Sequence, residues 1–118
     1  MTVRIYGIRN CDTMKKAFGW LEAAGVDYDF HDYKKVGIDE ATLARWCASL
    51  GRKALLNRRG TTWRKLAPEQ QTVDSDAEAI ALMRAHPSVI RRPVIETDSG
   101  EVLVGFDPDS LAARLGVA

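Results

Sequence analysis

Cys11 is the residue of this sequence whose surroundings most invite chemistry. It follows a β-branched and aromatic run, Val3 to Tyr6, closed by Gly7. After it, Met14, Ala17, Phe18 and Leu21 recur at helical spacing as far as Ala24, where Gly25 supplies a stop. A cysteine between a strand and a helix faces backbone N–H groups that the helix leaves unpaired, and the positive end of its dipole. Both favour the thiolate, the form that attacks sulfur or an oxidised electrophile. Asn10 stands where the helix N-cap belongs, and Lys15 and Lys16 add positive potential one turn on. Position 14 is methionine, so the Cys-x-x-Cys dithiol is absent and a redox cycle must take its second thiol from another molecule. Cys47, between Trp46 and Leu50 on an apolar helical stripe, reads as a small core residue.

Cations supply the second candidate feature. From Arg52 to Lys65 there are six basic residues and no acidic one. For Arg52 and Lys53 a solvated face and a binding role both stay open. Arg58-Arg59-Gly60-Thr61-Thr62 combines two guanidinium groups, a glycine and two hydroxyls ahead of a short helix around Trp63 to Leu66, a set suited to a carboxylate or another oxyanion. A second acid-free stretch, Arg84 to Arg92, holds three arginines and His86, and Arg92-Pro93 opens a strand, where proline is tolerated. His31 and His86 have no metal-ligand spacing, so no metal is expected. Trp20 and Trp63 read as packing residues.

The elements that must position these groups follow from periodicity and turn residues. Tyr28 to Tyr33 alternates as a strand, and strand–helix–strand over the first 33 residues makes a parallel βαβ unit. Asp39 caps a helix carrying Leu43, Trp46, Cys47 and Leu50, ended by Gly51; a brief apolar turn follows at Ala54 to Leu56. Ser75-Asp-Ala-Glu78 is a capping box for a helix that Pro87 stops. Pro93 to Thr97 and Glu101 to Val104 flank Asp98-Ser99-Gly100 as a hairpin. Asp107-Pro108 opens a last helix with Leu111, Ala112 and Leu115, ended by Gly116. The expected architecture is α/β: one domain over 1–118, with residues 1–36 and 91–118 forming a sheet core with flanking helices and about 37–90 a helical insertion.

The chain has 118 residues, 46% of them hydrophobic and 28% charged, at net charge +1. That balance does not announce a nucleic-acid partner. No apolar run approaches the roughly 18 residues needed to cross a bilayer, and the N-terminus lacks the layout of a secretory signal. Two cysteines are too few for a disulfide scaffold. A cytoplasmic protein with neither membrane nor nucleic-acid association is the expectation.

In this order of features the sequence resembles the arsenate reductase and Spx family of the thioredoxin fold, and within it the YffB-like subgroup. The resemblance covers essentially the whole chain. It is carried by Tyr6-Gly-Ile-Arg-Asn-Cys-Asp-Thr13, Lys15-Lys-Ala17, Arg59-Gly-Thr-Thr-Trp-Arg-Lys-Leu66, Arg91-Arg-Pro93 and Gly105-Phe106. It implies a four-stranded mixed sheet with a helical insertion, a cis-proline at Pro93 whose loop approaches Cys11, and a redox cysteine at Cys11. For the subgroup it implies a glutathione-dependent thiol reductase acting on a disulfide or oxidised substrate. Asn10, Thr13, Lys15, Arg58, Arg59, Arg92 and Pro93 are then the candidate residues for binding glutathione or substrate. Two other activities follow from the same resemblance: arsenate reduction coupled to glutathione or glutaredoxin, and Spx-like regulation through RNA polymerase. The arsenate reductases carry a histidine four residues before the cysteine and an arginine four after, where this chain has Gly7 and Lys15. Their three arsenate-holding arginines match Asn57, Arg92 and Gly105 here. The Spx regulators use a Cys-x-x-Cys switch, which Met14 removes.

Overall fold

The computed structural model describes residues 1–117. It contains two compact units: Met1–Asp32 together with the residues from Arg92 onward, and Tyr33–Arg91.

In the first unit, β1 (Thr2–Gly7) runs parallel to β2 (Asp27–Asp32), from Thr2 beside Asp27 to Gly7 beside Asp32. The parallel pairing requires a crossover, which α1 (Asp12–Ala23) provides. On its other side β1 pairs antiparallel with β3 (Val94–Glu96), and β3 continues into β4 (Val102–Val104), giving the sheet order β2-β1-β3-β4. Because alternate strand residues point to opposite faces, Val3 and Ile5 of β1 and Ile95 of β3 meet Met14, Ala17 and Leu21 of α1 in one core. α8 (Pro108–Leu115) adds Leu111 and Leu115. Asp107 caps α8 by accepting from the N–H groups of Asp109 and Ser110, and Gly116 ends it at φ +68°.

Several boundaries differ from the sequence expectation. α1 begins at Asp12 with Cys11, not Asn10, at the N-cap. The second strand stops at Asp32, because Tyr33 opens a helical turn in which its carbonyl accepts from the Gly37 N–H at 2.9 Å. The hairpin strands are three residues each, and at the turn the Thr97 N–H still donates to the Glu101 carbonyl at 2.9 Å while the Thr97 hydroxyl bonds to Ser99 at 2.9 Å and accepts from the Glu101 N–H at 3.1 Å.

The second unit is helical. After α2 (Tyr33–Val36) come α3 (Glu40–Leu50), α4 (Arg52–Leu55), α5 (Thr61–Arg64), α6 (Pro68–Gln71) and α7 (Asp76–Ala85), then a 3₁₀ turn over Pro87–Val89. Asp39 caps α3, accepting from the Thr42 N–H at 2.7 Å. Leu43, Trp46 and Cys47 are the buried positions of α3 and Ala79, Leu82 and Met83 those of α7, the helix α3 packs against. Ser75 caps α7 by accepting from the Glu78 N–H at 3.1 Å, while its hydroxyl donates to the Glu78 carboxylate. Ala54 and Leu55, expected in a simple turn, belong to α4, and α5 starts two residues before Trp63. Arg52 is partly exposed and bonds to the Asp76 carboxylate at 3.0 Å and to the Asp74 carbonyl at 3.2 Å. A cap of this kind is worth about 1 kcal/mol. Ser75→Ala should therefore lower stability by about 1 kcal/mol and Tm by a few degrees, as read by thermal denaturation.

Candidate active site

Two chain segments distant in sequence build the site in the first unit. Cys11 occupies the N-cap of α1 in extended conformation (φ −145°, ψ 131°), and its carbonyl accepts the first helical bond, from the Lys15 N–H at 3.0 Å. The residue is half-buried and packs against the sheet core. Arg92 and Pro93 arrive through register: Tyr6 lies beside Val94, so the residues just before β3 run past the end of β1, where the Cys11 turn begins. Pro93 is buried, follows a cis peptide bond as the resemblance implied, and accepts from the Gly105 N–H at 2.8 Å.

Opposing effects set the Cys11 thiol. Burial raises its pKa, but the Met14 N–H, the Arg92 guanidinium and the Thr13 N–H favour the anion and together bring it below the ordinary thiol value. The side chain closes no capping hydrogen bond in the helix itself. Neutral sulfur is a weak acceptor, so these groups matter for the charged form, the form that reacts. Cys47 is the opposite case. It is 5% exposed, and burial followed by the nearby Asp76 carboxylate pushes its thiol up against the weaker pull of Arg52.

The candidate residues divide between the units. Asn10, Cys11, Thr13, Lys15, Arg92 and Pro93 belong to the first, with Asn10, Thr13 and Lys15 exposed. Asn10 does not cap the helix, and Thr13 acts through its backbone N–H. Arg58 and Arg59 belong to the second unit and are exposed there. Arg58 lies over the Trp63 ring, 5.4 Å from its centroid. Asn57 shapes this turn: its side-chain oxygen accepts from the Arg59 N–H at 3.2 Å.

Two features of the first unit escape a linear reading. Gly7, expected only to end a strand, makes room for Met14: a Cβ at Gly7 would lie 2.5 Å from the Met14 Sδ and 2.8 Å from its Cε, and Met14 is fully buried. Crowding of this kind costs about 1–3 kcal/mol. Gly7→Ala should lose stability in that range, read as a lower denaturant midpoint with an unchanged slope. The second feature lies on the sheet face opposite Ile5. There the Tyr6 hydroxyl donates to Glu96, and the Tyr6 ring sits 4.9 Å from that of His31.

Among the described residues no group of three or more His, Cys, Asp or Glu side chains is arranged to hold a metal ion, and no helix is long and apolar enough to cross a membrane.

Comparison with known proteins places this geometry. A YffB protein structure matches with 56% identity and a TM-score of 0.91, over 96% of this chain and 98% of that one. An arsenate reductase (ArsC) related protein from Brucella melitensis matches with 52% identity and a TM-score of 0.75, over 98% and 95%. Among curated relatives, an uncharacterized protein of Haemophilus influenzae is 36% identical over 105 residues, 89% of this chain and 91% of that one. The global transcriptional regulator Spx of Streptococcus pyogenes is 27% identical over 108 residues, 90% and 79%. A glutaredoxin from Archaeoglobus fulgidus, 15% identical over 96% of this chain and 84% of that one at a TM-score of 0.51, shares the fold. The ArsC family model matches residues 6–114, from the strand that carries Tyr6 to the helix that carries Arg114, and this thioredoxin-fold chain therefore belongs to the ArsC family.

Proposed function

We propose that this chain is a cytoplasmic, glutathione-dependent thiol–disulfide oxidoreductase with Cys11 as its single nucleophile. The observation that supports it is the placement of the Cys11 sulfur, half-buried at a helix N-cap with the Arg92 guanidinium and two backbone N–H groups favouring its thiolate. In the first step the Cys11 thiolate attacks the glutathione sulfur of a glutathione mixed disulfide. A Cys11–glutathione disulfide forms, and the other sulfur leaves as thiolate and takes a proton. A second glutathione, as thiolate, then attacks the glutathione sulfur of that bond, releasing oxidised glutathione and restoring the Cys11 thiolate. Overall, one added glutathione and the mixed disulfide give the substrate thiol and oxidised glutathione, and the added glutathione is the reductant.

Glutathione brings two carboxylates to the site. Lys15 and Arg92 are the cations of the first unit offered to them, and Asn10 and Thr13 add polar groups beside the sulfur. The buried Pro93 shapes the edge along which the tripeptide backbone lies. Arg58 and Arg59 form an exposed cationic pair of the second unit, suited by charge to a carboxylate or another oxyanion there.

Two features weigh against the alternatives. Gly105, at a position where the arsenate reductases place an arginine, has φ +81°, a conformation that disfavours any larger residue. Position 14 holds a fully buried methionine instead of the second thiol of an Spx switch. The test is a coupled assay of glutathione mixed-disulfide reduction beside an assay of arsenate reduction. Turnover of the disulfide with none of millimolar arsenate is expected; arsenate turnover abolished by Arg92→Ala would replace the reading with arsenate reduction.

A further inference from the structure

The second unit carries a charge that nothing within it balances. Residues Tyr33–Arg91 hold eleven basic and six acidic side chains, net +5, while the rest of the chain holds six basic and ten acidic, net −4. The near-neutral total conceals two strongly charged halves. The imbalance in the second unit is also local, because from Ala41 to Pro68 there are seven basic residues and no acidic one.

Most of the unit's acids are already engaged elsewhere. Asp39 caps α3, Glu40 lies 3.8 Å from Arg84, Asp76 holds Arg52, and Glu78 bonds to Ser75. Lys53, Arg58, Arg59, Arg64 and Lys65 are all exposed, and no ion pair with an acid is recorded for any of them among the described residues. An ordinary solvated surface mixes both signs, since like charges repel.

The turn that presents Arg58 and Arg59, two of these cations, is held in shape. Asn57 accepts from the Arg59 N–H, and its own N–H donates to the Val89 carbonyl at 2.7 Å. The Gly60 Cα packs close enough that a Cβ there would lie 2.9 Å from the Asn57 Nδ2. The Arg58 guanidinium rests on Trp63. Cations held this way lose less freedom on binding an anion.

We infer that the exposed cations from Lys53 to Lys65 form a docking surface for an acidic segment of a partner polypeptide. Glutathione alone would leave most of this charge unused, because its two carboxylates are offset by one ammonium. A nucleic acid fits less well. Trp63 is buried to 8% exposure and so gives no platform for stacking bases. The inference concerns binding alone and stands or falls independently of the thiol chemistry proposed above.

The experiment is fluorescence anisotropy with the full chain and a labelled twelve-residue Glu/Asp-rich peptide, beside a labelled oligothymidylate of equal length. Saturable binding of the peptide, weakened roughly tenfold or more between 20 and 200 mM salt, is expected. Arg64→Gln/Lys65→Gln should weaken it at least about fivefold, whereas Lys34→Gln/Lys35→Gln, which removes the same charge elsewhere in the unit, should weaken it less than about twofold. All four positions are exposed, and circular dichroism verifies that each variant is folded. Equal losses in the two variants, no peptide binding at millimolar concentration, or tighter binding of the oligothymidylate would each overturn the inference.

Discussion

Cys11→Ser should reduce glutathione-dependent disulfide turnover by more than roughly a hundredfold, to the rate of glutathione alone, because the attacking atom is removed. The hydroxyl replacing it has nearly the same volume at an N-cap where serine is favoured, so the fold should persist and the loss be chemical. Mass spectrometry adds a second readout. Incubation with oxidised glutathione should add one glutathione to the native chain, at Cys11, and none to the variant. Cys47 is not expected to substitute, since it is buried and its thiol is pushed up in pKa. Retention of more than a tenth of the native rate by the variant would remove Cys11 from the mechanism.

Arg92→Ala should act on the same sulfur from outside. Burial raises the Cys11 pKa, and the guanidinium is one of the groups that outweigh it; without Arg92 the alkylation midpoint of Cys11 should move up. A charge-assisted hydrogen bond is worth about 1.5–3 kcal/mol, so turnover at neutral pH should fall roughly 10- to 100-fold. Part of that loss should be recovered at alkaline pH, where Cys11 ionises without help; the part due to carboxylate binding should remain as a raised KM. Arg92→Lys, which keeps the charge and loses the planar fork, should fall between. An alkylation profile identical to that of the native chain would show that Arg92 does not govern the thiol. Stability carries the same signature. The Cys11 pKa is depressed in the folded state, so the native chain should gain stability as pH rises through the folded value, with the gain complete above the unfolded thiol value. Arg92→Ala should show a smaller alkaline gain in urea denaturation.

How much of this could be read without coordinates varied with the range of the interaction responsible. The core stripe of α1, at Met14, Ala17 and Leu21, was legible because helical periodicity is local. So were the caps at Asp39, Ser75 and Asp107, since each lies within a few residues of the N–H it satisfies. Asn10 misled for an equally local reason: it has the side chain of a good cap, but the chain enters helical geometry one residue later and gives that place to Cys11. The partners of Arg52 were not legible for the opposite reason, as Asp74 and Asp76 lie more than twenty residues on. Nothing in the composition around Gly7 points to Met14, because their approach depends on how a strand end and a helix start fold over one another.

By itself the amino-acid sequence determined that Cys11 joins a strand to a helix, that no second thiol stands at position 14, and that the chain resembles a thioredoxin-fold family. These follow from residue identity, short-range spacing and quoted motifs. Only the tertiary structure decided which cation stands beside the sulfur. Arg92 lies eighty-one residues from Cys11 in the chain, and it is brought there by the antiparallel register that sets Tyr6 beside Val94. A pairing of that kind is stabilised by backbone hydrogen bonds and the shared burial of Ile5 and Ile95, neither of which belongs to any one segment.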